Sequence, residues 1–156
     1  MKKFKFQLET LLKVTRMKKR DAETELAAAS RKVEEEREKL RLYMQEMQKG
    51  QQDYDNLSKE GTKVTIGRLM AFNSFFAWKR GQIEKQQQTV LEANANKQKK
   101  LKALMEVMSY LKSIEQLKEK RFNEYMAEMM YEEQNMLDEI GLQLTMRNRK
   151  KTGEAS

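Results

Sequence analysis

From Leu8 to Leu57 the chain carries a line of mostly apolar positions spaced alternately four and three residues apart: Leu8, Leu12, Thr15, Lys19, Ala22, Leu26, Ala29, Val33, Glu36, Leu40, Tyr43, Met47, Gly50, Tyr54 and Leu57. Eleven of these fifteen positions can bury a side chain. A repeat of about 3.5 residues, sustained over seven heptads, keeps one narrow stripe turned toward a partner helix; a helix of a globular core carries a wider stripe. The pattern predicts a coiled-coil seam, and with it a mechanical or adaptor role rather than a catalytic one.

The line stops at Ser58-Lys-Glu-Gly-Thr-Lys-Val-Thr65, where turn-forming residues gather. Gly61 suits a helix C-terminus and Thr65 suits an N-cap. A second line follows through Ile66, Leu69, Asn73, Phe76, Arg80, Ile83, Gln87, Val90, Asn94, Lys97, Leu101, Leu104, Met108 and Leu111. Folding the chain back at the turn brings Leu57 to Ile66, Tyr54 to Leu69, Met47 to Phe76, Leu40 to Ile83, Val33 to Val90, Ala22 to Leu101 and Leu12 to Leu111, all in one register. The expected fold is all-α: two long helices in an antiparallel coiled-coil hairpin over residues 1–149, the second longer and projecting past the first. Helix 1 is expected over about 5–58, the turn over 59–64, helix 2 over 65–147, and a frayed tail over 150–156. At about 1.5 Å per residue the helices would measure roughly 80 and 120 Å.

The excess length begins near Phe122 and has its own chemistry. From Phe122 to Met146 there are six acids (Glu124, Glu128, Glu132, Glu133, Asp138, Glu139), no Lys or Arg, and five methionines (Met126, Met129, Met130, Met136, Met146). Methionine is flexible and polarizable and suits a surface that adapts to a partner. The simpler alternative is self-association of this unpaired overhang.

Composition sharpens the picture. With 36% charged residues, 38% hydrophobic ones and no proline, the 156-residue chain cannot fill an ordinary globular core, yet it is too regular to be disordered. Cysteine and histidine are both absent, which removes disulfides, the common zinc ligands, cysteine nucleophiles and histidine bases. No metal, cofactor or catalytic residue is expected. The basic opening lacks the apolar stretch of a signal peptide, and no window is apolar enough to span a membrane, so a cytoplasmic location is expected.

The net charge is +8, and Lys2, Lys3, Lys5, Lys13, Arg16, Lys18, Lys19 and Arg20 face only Glu9 before Asp21. Such an end could meet an acidic protein, anionic lipid or nucleic acid, or simply keep a long helix soluble. No base-reading motif accompanies it, so no specific nucleic-acid partner is expected. Gly61-Thr-Lys63 lacks the second glycine and the hydroxyl residue of a nucleotide loop. Paired acids such as Glu34 with Glu38 read as solvated faces, since a two-helix hairpin has no pocket to desolvate them. Phe72, Phe75, Phe76 and Trp78 cannot all lie on one helix face, so some of this cluster must be exposed and is a candidate hot spot.

The opening Phe4-Lys-Phe-Gln-Leu-Glu-Thr-Leu-Leu-Lys-Val-Thr-Arg16, with Ala22 and Leu26 after it, resembles the start of the FliJ family of the bacterial flagellar type III export apparatus. The resemblance implies a non-enzymatic stalk, similar to the shaft of rotary ATPases, inserted in a hexameric export ATPase and promoting its assembly and activity. Implied partners are that ATPase, its regulator, the cytoplasmic linker of the export gate membrane protein and substrate-specific export chaperones. The implied location is peripheral, at the inner face of the cell membrane at the flagellar base. Candidate ring contacts are Phe4, Phe6, Leu8, Leu11, Arg16, Met126, Met130, Leu137, Ile140 and Leu144. Candidate gate contacts are Tyr43, Met47, Tyr54, Phe72, Phe75 and Ile83. Rival readings are a cytoplasmic or membrane-peripheral scaffold for anionic surfaces, and the equivalent stalk of a virulence secretion system.

Overall fold

The computed structural model describes residues 2–59 and 64–154. Two helices, α1 (Glu9–Lys59) and α2 (Ile66–Glu154), account for almost all of them, and the described residues include no strand. The chain divides into two compact units, one of Met17–Met108 and one of Met1–Arg16 with Ser109–Ser156.

In Met17–Met108 the helices pack antiparallel along the expected α1 line. Ala29 and Val33 are buried there with Leu104 of α2, and Ala22, Leu26, Leu40, Tyr43, Met47, Tyr54 and Leu57 are half-buried. Residues rising along α1 meet residues falling along α2: Glu25 pairs with Lys100 at 3.2 Å, Glu36 with Gln86, Glu46 with Lys79, and Tyr54 with Phe72. Thr65 caps α2 as its type predicts, its side-chain oxygen accepting from the Arg68 amide at 3.4 Å. Gly61 and most of the expected turn lie outside the described residues.

The α2 line differs from the expected one in its first half. Asn73, Arg80 and Gln87 are exposed, and the seam runs instead through Phe72, Lys79 and Gln86. Ile66 is 77% exposed rather than seated on Leu57, and Tyr54 meets the rings of Phe72 and Phe76. Arg80 and Gln87 are as polar as Lys79 and Gln86, so apolar periodicity alone could not choose between adjacent lines. The choice falls to partners on α1, where Glu46 and Glu36 satisfy Lys79 and Gln86.

In the other unit, Leu12, Leu111 and Ile114 form a buried cluster with Phe6 and Leu11 packed against it. The expected meeting of Leu12 with Leu111 is therefore present. Buried Thr15 turns its hydroxyl back to the Leu11 carbonyl at 2.7 Å, which lets a polar residue occupy the seam. Lys118 pairs with Glu9 at 2.9 Å and Arg16 with Glu115 at 3.7 Å.

Two boundaries are corrected. Helix α1 begins at Glu9, not near residue 5: the residues before it are non-helical, with the Phe4 ring on Phe122 and Phe6 packed against the Leu12, Leu111 and Ile114 cluster. Helix α2 runs to Glu154, past its expected end near residue 147.

Candidate functional site

The first candidate surface lies in the unit containing the N-terminus. The Phe4 ring meets Phe122 edge-on at 5.3 Å and Tyr125 at 5.6 Å, and the Tyr125 hydroxyl donates to the Lys2 carbonyl. The segment from Phe122 was expected to lack any partner within its own chain. Instead its first turn is occupied by the non-helical arm, and a groove between them is lined by Lys2, Lys3, Phe4, Lys5, Tyr125, Glu128, Met129 and Glu132. From Met130 every described side chain to Thr152 is exposed.

The candidate ring contacts thus separate into two sets. Phe4, Phe6 and Leu11 are half-buried and hold the arm and the core of this unit. Leu8, Arg16, Met126, Met130, Leu137, Ile140 and Leu144 are exposed, Met130 to 68%. Glu9, in the first turn of α1, has its carboxyl held below the usual range chiefly by the hydrogen bond from Lys118, with Lys13 and Arg16 adding to the effect.

The second candidate surface lies in Met17–Met108. Tyr54, Phe72, Phe76, Phe75 and Trp78 form a chain of ring contacts with centroids 5.5 to 6.5 Å apart. The candidate gate residues Tyr43, Met47, Tyr54, Phe72, Phe75 and Ile83 are all half-buried. The exposed members of this region are others: Ile66, Leu69, Met70 and Trp78, the last 61% exposed.

At the end of this ring chain sits a buried cation. Lys79 is 2% exposed, its ammonium lying 4.7 Å from the Trp78 ring centre, 5.2 Å from Tyr43 and 5.7 Å from Phe75. It donates to Gln82 Oε1 at 2.9 Å and pairs with the Glu46 carboxylate. Three ring faces, an amide and a carboxylate together compensate a cation that is otherwise costly to bury. The signal was present in Trp78-Lys79 and in Glu46 three residues after Tyr43, but it needed the register to be read.

One heptad further along the seam, Gln86 Nε2 donates to the Glu36 carbonyl at 2.9 Å and to its carboxylate at 2.5 Å. That bond is the first cause of a lowered Glu36 pKa; the bond from Lys32 follows, and the nearby Lys39 charge adds to it. Beside the aromatic chain, Gly50 leaves room for Phe75: a Cβ at position 50 would lie 2.6 Å from Phe75 Cε1.

Among the described residues no cluster of acids could hold a metal ion, and no helix is long and apolar enough to cross a membrane. A model of the family described as Flagellar FliJ protein matches residues 4–150. No curated protein matches the chain, and no solved structure does.

Proposed function

We propose, because the chain belongs to the flagellar FliJ family, that it is a non-enzymatic stalk and adaptor of the flagellar export ATPase complex. In this reading the basic arm and the segment from Met126 to Leu144 enter the ATPase hexamer and promote its assembly and activity. Leu8, Arg16, Met126, Met130, Leu137, Ile140 and Leu144 make the contacts, while Phe4, Phe6 and Leu11 act indirectly by holding the arm in shape. The observation that supports it is the helix face from Met130 to Leu144, rich in methionine and leucine and exposed among the described residues.

The aromatic chain of the other unit serves the cytoplasmic linker of the export gate. Tyr43, Met47, Tyr54, Phe72, Phe75 and Ile83 build its scaffold, and exposed Trp78, Met70 and Leu69 beside them supply area for a hot spot. Binding of the ATPase regulator and of substrate-specific chaperones, and a peripheral position at the cell membrane, belong to the same reading.

The test is ATP hydrolysis by the export ATPase of the same source, with light scattering to follow ring assembly. The full chain should stimulate both, and a chain ending at Tyr131, which keeps the arm-docking residues Phe122 and Tyr125, should stimulate neither. Full stimulation by the truncated chain would remove the ring assignment. Absence of any effect from the full chain, with cosedimentation on anionic vesicles at physiological salt, would instead favour the scaffold reading.

A further inference from the structure

The face carrying Met126, Met130, Leu137, Ile140 and Leu144 resumes the four-and-three spacing of a seam, with Glu133 as its acidic member. All six side chains are exposed. Charge along the same segment is divided. Six acids lie between Glu124 and Glu139 with no cation from Phe122 to Met146, and Arg147, Arg149, Lys150 and Lys151 follow together. Two parallel copies of this segment would set like charge beside like. Two antiparallel copies set the basic end of each beside the acidic part of the other, so the pattern is complementary to its own reverse.

We propose that residues Glu124 to Lys151 of two chains pair antiparallel, forming a dimer whose twofold axis passes at Leu137. In this alignment Leu137 meets its own copy, Met130 meets Leu144, Lys150 lies opposite Glu124, and Arg147 lies within a turn of Glu128. Glu133 falls opposite Gly141, around which no side chain of its own protein lies within 4 Å of a Cβ position, so the carboxylate has a way out to water. An isologous contact of this kind closes on itself and stops at two copies. The pairing covers the stripe assigned above to the ATPase ring, so dimer and ring insertion exclude each other. The dimer itself does not rest on that assignment, and its test uses the chain alone.

The chain has no cysteine, so single introduced cysteines report contacts directly. In the full-length protein, Met130→Cys should crosslink on oxidation to the Leu144→Cys chain and not to itself, since the two copies of residue 130 would stand about 20 Å apart. Sedimentation of the unaltered chain should give a dimer that weakens as salt is raised. Glu124→Lys with Glu128→Lys, and separately Arg147→Glu with Lys150→Glu, should each sediment as monomers and recover the dimer when mixed; circular dichroism controls for helix content. Self-crosslinking of Met130→Cys, a dimer undiminished in both charge variants, or a monomer up to the solubility limit would each overturn the proposal.

Discussion

The Phe4 ring stands edge-on to Phe122 with centroids 5.3 Å apart, so the non-helical arm before α1 is fastened to the second helix rather than left free. Edge-to-face geometry directs the positive rim of one ring at the negative face of the other. With the Tyr125 hydroxyl on the Lys2 carbonyl, this contact defines where the partnered part of α2 ends and the bare part begins.

Phe4→Ala should therefore release the arm without melting α1. The expected cost is about 1–2 kcal/mol from lost apolar burial and ring contact. Trypsin should cut after Lys5 several times faster, while circular dichroism stays unchanged. Equal cleavage rates would mean that the arm is not held by this ring.

Two glycine substitutions separate packing from helix propensity. Gly81→Ala, with nothing within 4 Å of the new methyl, should gain about 1 kcal/mol from propensity. Gly50→Ala offers the same gain but drives a Cβ into Phe75, which is hemmed in by Phe76 and Trp78, so the net change should be a loss. Thermal melts compare the two, and the single Trp78 reports the ring displacement by its fluorescence.

Acid should loosen the seam at Glu36. Its folded pKa lies below the unfolded value because Gln86, then Lys32, bond its charged form. The associated stability is complete above the unfolded pKa and is lost as pH falls through the folded one, in the range below the ordinary value of 4.5. Glu36→Gln should flatten this part of the stability–pH curve and leave neutral pH as the place where the two proteins differ most. An unchanged acid limb would contradict the assignment.

Lys79→Met should be neutral or mildly stabilising, within about 1–2 kcal/mol, since Glu46 is half-exposed and regains water while the rings keep an apolar neighbour. Glu46→Ala should cost more, as it leaves a buried ammonium with one amide and three ring faces. Urea melts of the two variants give the comparison, and a reversed order would show that the ion pair itself stabilises the protein.

How much of this was legible in the sequence depended on whether one residue type could stand in for another. Fourteen of the fifteen positions on the α1 line are buried or half-buried, because Leu, Val and Ala recur along it closely enough to fix the stripe and to carry Thr15, Lys19 and Glu36 with it. On α2 the choice between Lys79 and Arg80, or Gln86 and Gln87, carries no hydrophobic signal and was decided by Glu46 and Glu36 across the seam. The helix-period reading began the helix near residue 5 and so took in Phe6, whose ring packs from a non-helical segment. Trp78 was recognised as part of an aromatic cluster, whereas its exposure followed only once Lys79 had taken the inward position.

A seam made of leucines alone looks the same after a shift of seven residues, so two such helices can creep past one another at little cost. Moving α2 by a heptad in either direction carries the Gln86 amide away from both Glu36 acceptors, at about 1–3 kcal/mol for the stranded group, and presents Phe75 to a neighbour that has a Cβ where Gly50 has none. The two features act like the marks of a vernier, agreeing at one setting only. A push on one helix of this unit is then delivered to the other as displacement and is not dissipated as slip.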